Sequence, residues 1–453
     1  ERAMVGRAIG WSVVVGLLGC GGTGPMAPTG STGLPSDTAS GAPEDTSTAG
    51  ATVTVIPYIQ GTAPASAMRW RAPDWFATFT EDGWVERSVG APSPVVLDTG
   101  ASGRFAVVTA CRTLANPDIR VFLGSASDGE TLTLPGCTDL EPPGVSVSRL
   151  LVDDSLYDDP PAKGSCGVVA YGNTFWFATC NPTAVVEFST PAGPGGVYAE
   201  RYTSANTVDR VVVDGPFSIP EGGAPDRPLD FDGPLAAPPI FVQPTPAGQP
   251  LTMRLVTDFG RLGVRPSDGD VGVATIPATL APAGARYLAT GQRIADGQPI
   301  VATERVVLDA PPATLELGQL YDPTAPTLTV VTGPDGAATL TLTAAADWSL
   351  AKATTFTAFA RWDVTVTAGA VDGDTWVVPA GADIAGLASF IAAEAGVSEA
   401  DVMLPDTGAF TVATVHARAG TPTPFDVWRA DYSLDHLDEG TRLVEQGTLV
   451  QLP

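Results

Sequence analysis

The chain has 453 residues, with 50 acidic side chains against 24 basic ones and a formal net charge of -26. An acidic surface of that size repels phosphate backbones and anionic headgroups, which excludes nucleic acid as the expected partner. Its length leaves room for several domains, and the 50 glycines and 42 prolines fall in turns between short β-type runs, which excludes a helical bundle.

At the start of the chain, Arg2 and Arg7 accompany an apolar run from Val5 to Leu18, which ends in Leu17-Leu18-Gly19-Cys20. The run is short of the roughly 20 apolar residues a membrane-spanning helix needs. A basic start, an apolar middle and a small-residue exit make the plan of a secretory signal. With leucine three positions before it, the exit cysteine resembles the lipobox of bacterial lipoproteins. The resemblance implies that residues 1–19 are a signal peptide and that Cys20 carries a diacylglyceryl group. The mature chain would then be anchored by lipid in the cell envelope. Gly21 and Gly22 follow the cysteine rather than aspartate, so the outer membrane is the expected location. Residues 20–50 are Gly/Ser/Thr/Pro/Ala-rich without a basic residue, cannot offset their chain entropy by burial, and read as a disordered tether.

From Val53 onward short β-type runs recur between turn signals, giving a mainly β fold of tandem β-sandwich modules with one short helix in the C-terminal domain. A weak repeat sets the expected boundaries. Pro191-Ala192-Gly193, Tyr198, Asp209-Arg210-Val211-Val212-Val213-Asp214 and Pro228-Leu229-Asp230-Phe231 are echoed later in the chain. The echo is Pro282-Ala283-Gly284, Tyr287, Glu304-Arg305-Val306-Val307-Leu308-Asp309 and Thr314-Leu315-Glu316-Leu317. A looser first copy runs through Ser102-Gly103-Arg104-Phe105, Asp118-Ile119-Arg120-Val121-Phe122-Leu123 and Thr131-Leu132-Thr133-Leu134. The expected modules are 51–144, 145–240 and 241–322, followed by a C-terminal β-rich domain at 323–453. The turn-plus-aromatic pattern resembles the carboxypeptidase-regulatory-like and immunoglobulin-like modules of secreted bacterial proteins. That resemblance implies a structural or adhesive role.

Apart from Cys20, the cysteines Cys111, Cys137, Cys166 and Cys180 form an even set, expected as two disulfides in an oxidising compartment. Three pairings exist, and neighbours are favoured: Cys111 with Cys137, and Cys166 with Cys180. A three-residue turn centred on Asn173 would set the second pair directly opposite each other.

Asp98-Thr99-Gly100 resembles the active-site turn of an aspartic protease, whose chemistry needs two carboxylates sharing one proton, and a second Asp-Thr-Gly stands at Asp406-Thr407-Gly408. Asp98 also leads into a strand, where the same tripeptide is a hairpin turn, and that is the reading adopted. The two histidines, His416 and His436, belong to no His-Glu-x-x-His helix; His416 is expected half-exposed on a strand and His436 in a solvated loop. No catalytic set, cofactor or metal site is assigned, and the chain is read as not an enzyme. Acidic loops at Asp153-Asp154, Asp158-Asp159, Asp268, Asp270, Asp372 and Asp374 offer oxygen ligands in turn-like sequence, with solvation as the default.

In the last domain a helix is expected where Asp383 can cap, Ile384, Leu387, Phe390 and Ile391 form an apolar stripe, and Gly396 stops it. Trp348, Trp362, Trp376 and Trp428 are the candidate ligand face, since an exposed indole can stack on a sugar ring. The expected function is a lipid-anchored envelope protein of structural or interaction role, with the membrane and an envelope protein or glycan as partners. The alternative is a surface glycan- or peptidoglycan-binding protein acting through those tryptophans.

Overall fold

A computed structural model describes residues 51–58, 70–87, 93–112, 117–138, 146–152, 167–171, 177–179, 185–190, 193–202, 208–220, 227–245, 247, 249–263, 272–294, 301–318, 327–332, 338–343, 348–370, 375–378, 387, 392, 404–405 and 407–452. The chain divides into two units, Glu1–Ala49 and Gly50–Pro453, and every described residue lies in the second. Cys20 and the expected signal and tether therefore lie outside the described residues, as do Cys166, Cys180, Asp406 and the acidic-loop aspartates.

The first module comprises β1 (Thr52–Ile56), β2 (Trp70–Arg71), β3 (Trp75–Thr80), β4 (Gly83–Glu86), β5 (Val95–Asp98), β6 (Arg104–Cys111), β7 (Asp118–Ser125), β8 (Thr131–Thr133) and β9 (Cys137–Thr138). The second comprises β10 (Ser146–Val152), β11 (Gly167–Tyr171), β12 (Phe177–Thr179), β13 (Val185–Thr190), β14 (Gly193–Tyr202), β15 (Val208–Ile219), β16 (Arg227–Leu229) and β17 (Ala236–Ala237). The third comprises β18 (Ile240–Thr245), β19 (Leu251–Thr257), β20 (Gly260–Leu262), β21 (Val273–Thr275), β22 (Arg286–Ile294), β23 (Val301–Leu308) and β24 (Thr314–Glu316). The last domain holds β25 (Thr327–Thr332), β26 (Ala338–Thr343), β27 (Leu350–Phe356), β28 (Arg361–Thr367), β29 (Thr375–Val378), β30 (Gly408–Ala419), the helix α1 (Pro424–Arg429) and β31 (Arg442–Leu452).

The three modules share one topology. In each, the first strand pairs antiparallel with one later strand and parallel with a second, nearer the module's end: β1 with β5 and β8, β10 with β13 and β16, β18 with β21 and β24. The opposing sheet also runs in the same order, β4-β3-β6-β7, β12-β11-β14-β15 and β20-β19-β22-β23. The repeated Asp/Glu-rich Val motif supplies the strand that ends this second sheet, at β7, β15 and β23. This order differs from the immunoglobulin one, in which strands A, B, E and D share a sheet.

Burial explains the strands locally. In β19 every second residue (Leu251, Met253, Leu255) turns inward and the intervening residues face out, the period of a half-covered sheet. In β7, Ile119 and Val121 face one core and Phe122 the other, because this strand is covered on both faces.

The modules are not separate beads. The last domain contributes β31-β30-β27-β28, and this sheet stands between modules 1 and 3 in one continuous twelve-stranded sheet, β20-β19-β22-β23-β31-β30-β27-β28-β7-β6-β3-β4. Arg361–Val366 of β28 pair parallel with Asp118–Leu123 of β7, and Arg442–Gly447 of β31 pair antiparallel with Val301–Val306 of β23. The sheet thus draws its strands from 51–144, 241–322 and 323–453, and none from 145–240. In module 2 the equivalent strand β15 is joined instead by β17, over Val211 and Val212. Modules 2 and 3 share a core in which Tyr198, Val211 and Val213 pack with Leu255, Phe259 and Tyr287. Phe259 sits so close to Gly196 that a Cβ there would meet its ring at 2.3 Å, so only glycine fits.

Cys111 and Cys137 form a disulfide with their Cα atoms 5.3 Å apart, the neighbour pairing expected. Of the helix expected from Asp383, the described residues Leu387 and Ala392 are helical, and Leu387 is fully buried against Trp362 and Val364.

Candidate functional site: the connection between β30 and β31

The connection from Gly420 to Thr441 lies across one face of the long sheet and touches two modules. Its first half is built for docking. Thr423 caps α1: its Oγ1 accepts from the Asp426 N–H at 3.2 Å, and the Asp426 carboxylate accepts from the Thr423 N–H at 2.9 Å. With Pro424 in the first turn this is a complete capping box. The helix buries Phe425, Val427 and Trp428. Phe425 meets Phe105 and Phe122 edge-on, at 6.1 and 5.9 Å between ring centres, and Trp428 lies 5.3 Å from Phe122. The Trp428 indole N–H donates to the Thr133 carbonyl of β8 at 3.1 Å. Gly129 has φ 149°, and a Cβ there would meet Phe425 at 2.7 Å, so the close approach of α1 to module 1 depends on glycine.

The second half is held by charge. Asp431 accepts from the Arg305 guanidinium at 2.5 Å through Oδ1 and from Lys352 Nζ at 2.5 Å through Oδ2. Its backbone carbonyl accepts from Arg261 at 2.7 Å. Glu445 completes the cluster, 3.2 Å from Arg305 and 4.0 Å from Lys352. Arg286 donates to the Leu437 carbonyl and pairs with Asp309 at 2.7 Å. Just past the connection, Arg442 pairs at 2.9 Å with Glu304, a fully buried carboxylate that also accepts from the Gly318 N–H at 2.9 Å. Burial pushes the Asp431 carboxyl up, but Lys352 and Arg305 outweigh it and hold the group well below the usual carboxylate range. Arg305 is likewise opposed by burial and held charged by Asp431 and Glu445. Burial pushes the neighbouring Tyr432 hydroxyl far up, and Asp431 adds to the effect. Two cations facing two carboxylates neutralise one another, so the chemistry of this site is recognition between parts of the chain.

The module 1 seam carries a second polar set. Asp128, which caps the turn Ala126–Asp128, accepts from the Thr367 hydroxyl at the end of β28. Burial raises its carboxyl above the ordinary value, with Thr367 and Ser125 acting against it. Asp363 is raised for the same reason, against its hydrogen bond from Thr354 and its charge pairing with Arg361.

The candidate ligand face does not assemble among the described residues. Trp362 is fully buried and Trp428 is 7% exposed, both in cores, while Trp348 is half-buried against the core around Trp362. An indole in a core cannot stack on a sugar from solvent. Only the backbone of Trp376, in β29, is described. Asp98 ends β5 and its carboxylate accepts from the Gly100 N–H in the turn that follows, at 3.0 Å, while Thr99 is buried and donates to the Ala51 carbonyl at 2.6 Å. His416 is half-buried on β30, as expected. His436 differs from expectation: its side chain is 10% exposed, with Nε2 2.8 Å from the Asp426 carbonyl, so it fastens the connection to α1. Among the described residues no group of three His, Cys, Asp or Glu is placed to hold a metal. No known family and no curated protein matches the chain.

The connection itself escaped sequence reasoning. Thr423-Pro424 followed by Asp426 is a legible helix start. Nothing local marks Asp431, whose partner Arg305 lies 126 residues away.

Proposed function

We propose that the protein is a lipid-anchored component of the cell envelope, most simply of the outer membrane, with a structural or interaction role. Cys20 holds the lipid and residues 20–50 act as the tether. The observation that carries this reading is the joining of modules 1 and 3 and the last domain through one twelve-stranded sheet, with module 2 packed on module 3 through a shared core, an architecture suited to a structural or interaction role. The Cys111–Cys137 disulfide adds support, because such bonds persist in exported proteins. Charge is consistent with it, since a net charge of -26 keeps the protein off anionic headgroups. A Cys166–Cys180 bond belongs to the same proposal. The strand order gives no support to the immunoglobulin-like side of the resemblance. Glycan binding through the tryptophans gains no support from Trp362 and Trp428, which are both buried.

Metabolic labelling with radioactive palmitate tests the anchor. The expected result is label on the wild type, none on Cys20→Ala, and release of that variant from the membrane fraction. Equal labelling of the two would overturn the proposal.

A further inference from the structure

We infer that residues 420–441 act as a strap that couples module 1 to module 3, so that the seating of Phe425 and Trp428 and the pairing of Asp431 are a single event. The two anchor points are only three residues apart in sequence, yet they engage different modules: Trp428 bonds to Thr133 of β8, and Asp431 to Arg305 of β23 and, through its carbonyl, Arg261 of β20. Two independent contacts would need a joint between them, and the hydrogen bonds leave none. Tyr432 N–H and Ser433 N–H both donate to the Arg429 carbonyl, at 2.8 and 2.9 Å, winding the chain directly off the end of α1. The Trp428 and Tyr432 rings touch edge-on at 5.5 Å. His436 and the Arg429–Asp435 pair, at 2.9 Å, fold the rest of the connection back onto the helix. A displacement at Asp431 is therefore passed to Trp428 through rigid backbone, the physical requirement for coupling between sites. Apolar burial on one module and ion pairing on the other then report on the same open-closed equilibrium.

Hydrogen exchange read by mass spectrometry on the full chain tests this. In Asp431→Asn, the peptide covering Thr131–Leu134 is expected to exchange at least tenfold faster, although the bonds lost lie on β23 of module 3 and β27 of the last domain. Reciprocity requires Phe425→Leu to accelerate exchange in β23, even though Phe425 packs on module 1. If Asp431→Asn does not fold, Lys352→Met serves in its place, since Arg305 still holds the carboxylate. Acceleration confined to β20, β23 and β27 in the Asp431 or Lys352 variant, with Thr131–Leu134 unchanged, would overturn the coupling. So would a Phe425→Leu effect confined to module 1.

Discussion

The two seams of the long sheet solve the same problem with different chemistry. At module 1, β28 meets β7 in parallel, and the face beside the seam is closed by Phe425 and Trp428 on Phe105 and Phe122. At module 3, β31 meets β23 antiparallel, and the face is closed by Asp431 and Glu445 on Arg305 and Lys352. Aromatic burial is strong and tolerant of small displacements, whereas paired charges repay their desolvation only in one geometry. The comparison teaches a division of labour. The aromatic seam supplies most of the free energy, and the ionic seam fixes register and orientation.

The largest expected effect comes from the aromatic side. Phe425→Ala should destabilise by about 3–5 kcal/mol, because it removes a buried ring among two others and leaves a cavity. Urea denaturation checks this, and a loss below about 1 kcal/mol would mean that α1 is not seated in module 1. Asp431→Ala should cost about 3 kcal/mol, chiefly by leaving Arg305 and Lys352 with Glu445 as their one remaining carboxylate in the cluster. Replacing Asp431, Arg305, Lys352 and Glu445 together by apolar residues of similar volume should recover most of that loss. Failure to recover it would assign the ionic seam a larger share of stability than the comparison allows.

Titration sharpens the contrast, because the seams carry opposite shifts. The Asp431 carboxyl is depressed in the folded chain, so its contribution is present above the unfolded carboxyl value near 3.8 and is lost as pH falls through the lower folded value. Asp128 and Asp363 are raised, so their contribution is fullest below the unfolded value and declines as pH rises through the folded one. Acidification from neutrality towards pH 4 should therefore tighten the module 1 seam and leave the module 3 seam unchanged. Site-resolved opening energies from hydrogen exchange, corrected for intrinsic rates, would show this. Parallel weakening of both seams would count against it. The smallest effect is reserved for Asp435→Ala: its carboxylate is 65% exposed, so loss of its pair with Arg429 should cost about 0.5 kcal/mol or less.

Much of the fold was legible because strands announce themselves by side-chain alternation. The Val-rich repeats at Asp209–Asp214 and Glu304–Asp309 led to equivalent strands, and the two aromatic positions of the repeat led to Tyr198 and Tyr287, both buried in the core shared by modules 2 and 3. The joining of modules was not legible. Which edge meets which is decided by backbone donors and acceptors, and these are the same in every sequence. The polar residues at the seams, Asp118, Arg305 and Glu445, look in sequence like any solvent-facing strand positions. Tryptophan misled for a related reason: composition placed four in the last domain, but only packing separates the buried Trp362 and Trp428 from an exposed platform.

The continuity of the sheet is most directly tested by cysteine pairs placed across its two seams, Arg120→Cys with Asp363→Cys at module 1 and Thr303→Cys with Glu445→Cys at module 3, each directly opposed in the register. Under mild oxidation both pairs should close within one chain, and peptide mapping by mass spectrometry should recover each bridged peptide pair from monomeric protein. Free thiols, or bridges found only between chains, would contradict a body in which the last domain stands between modules 1 and 3.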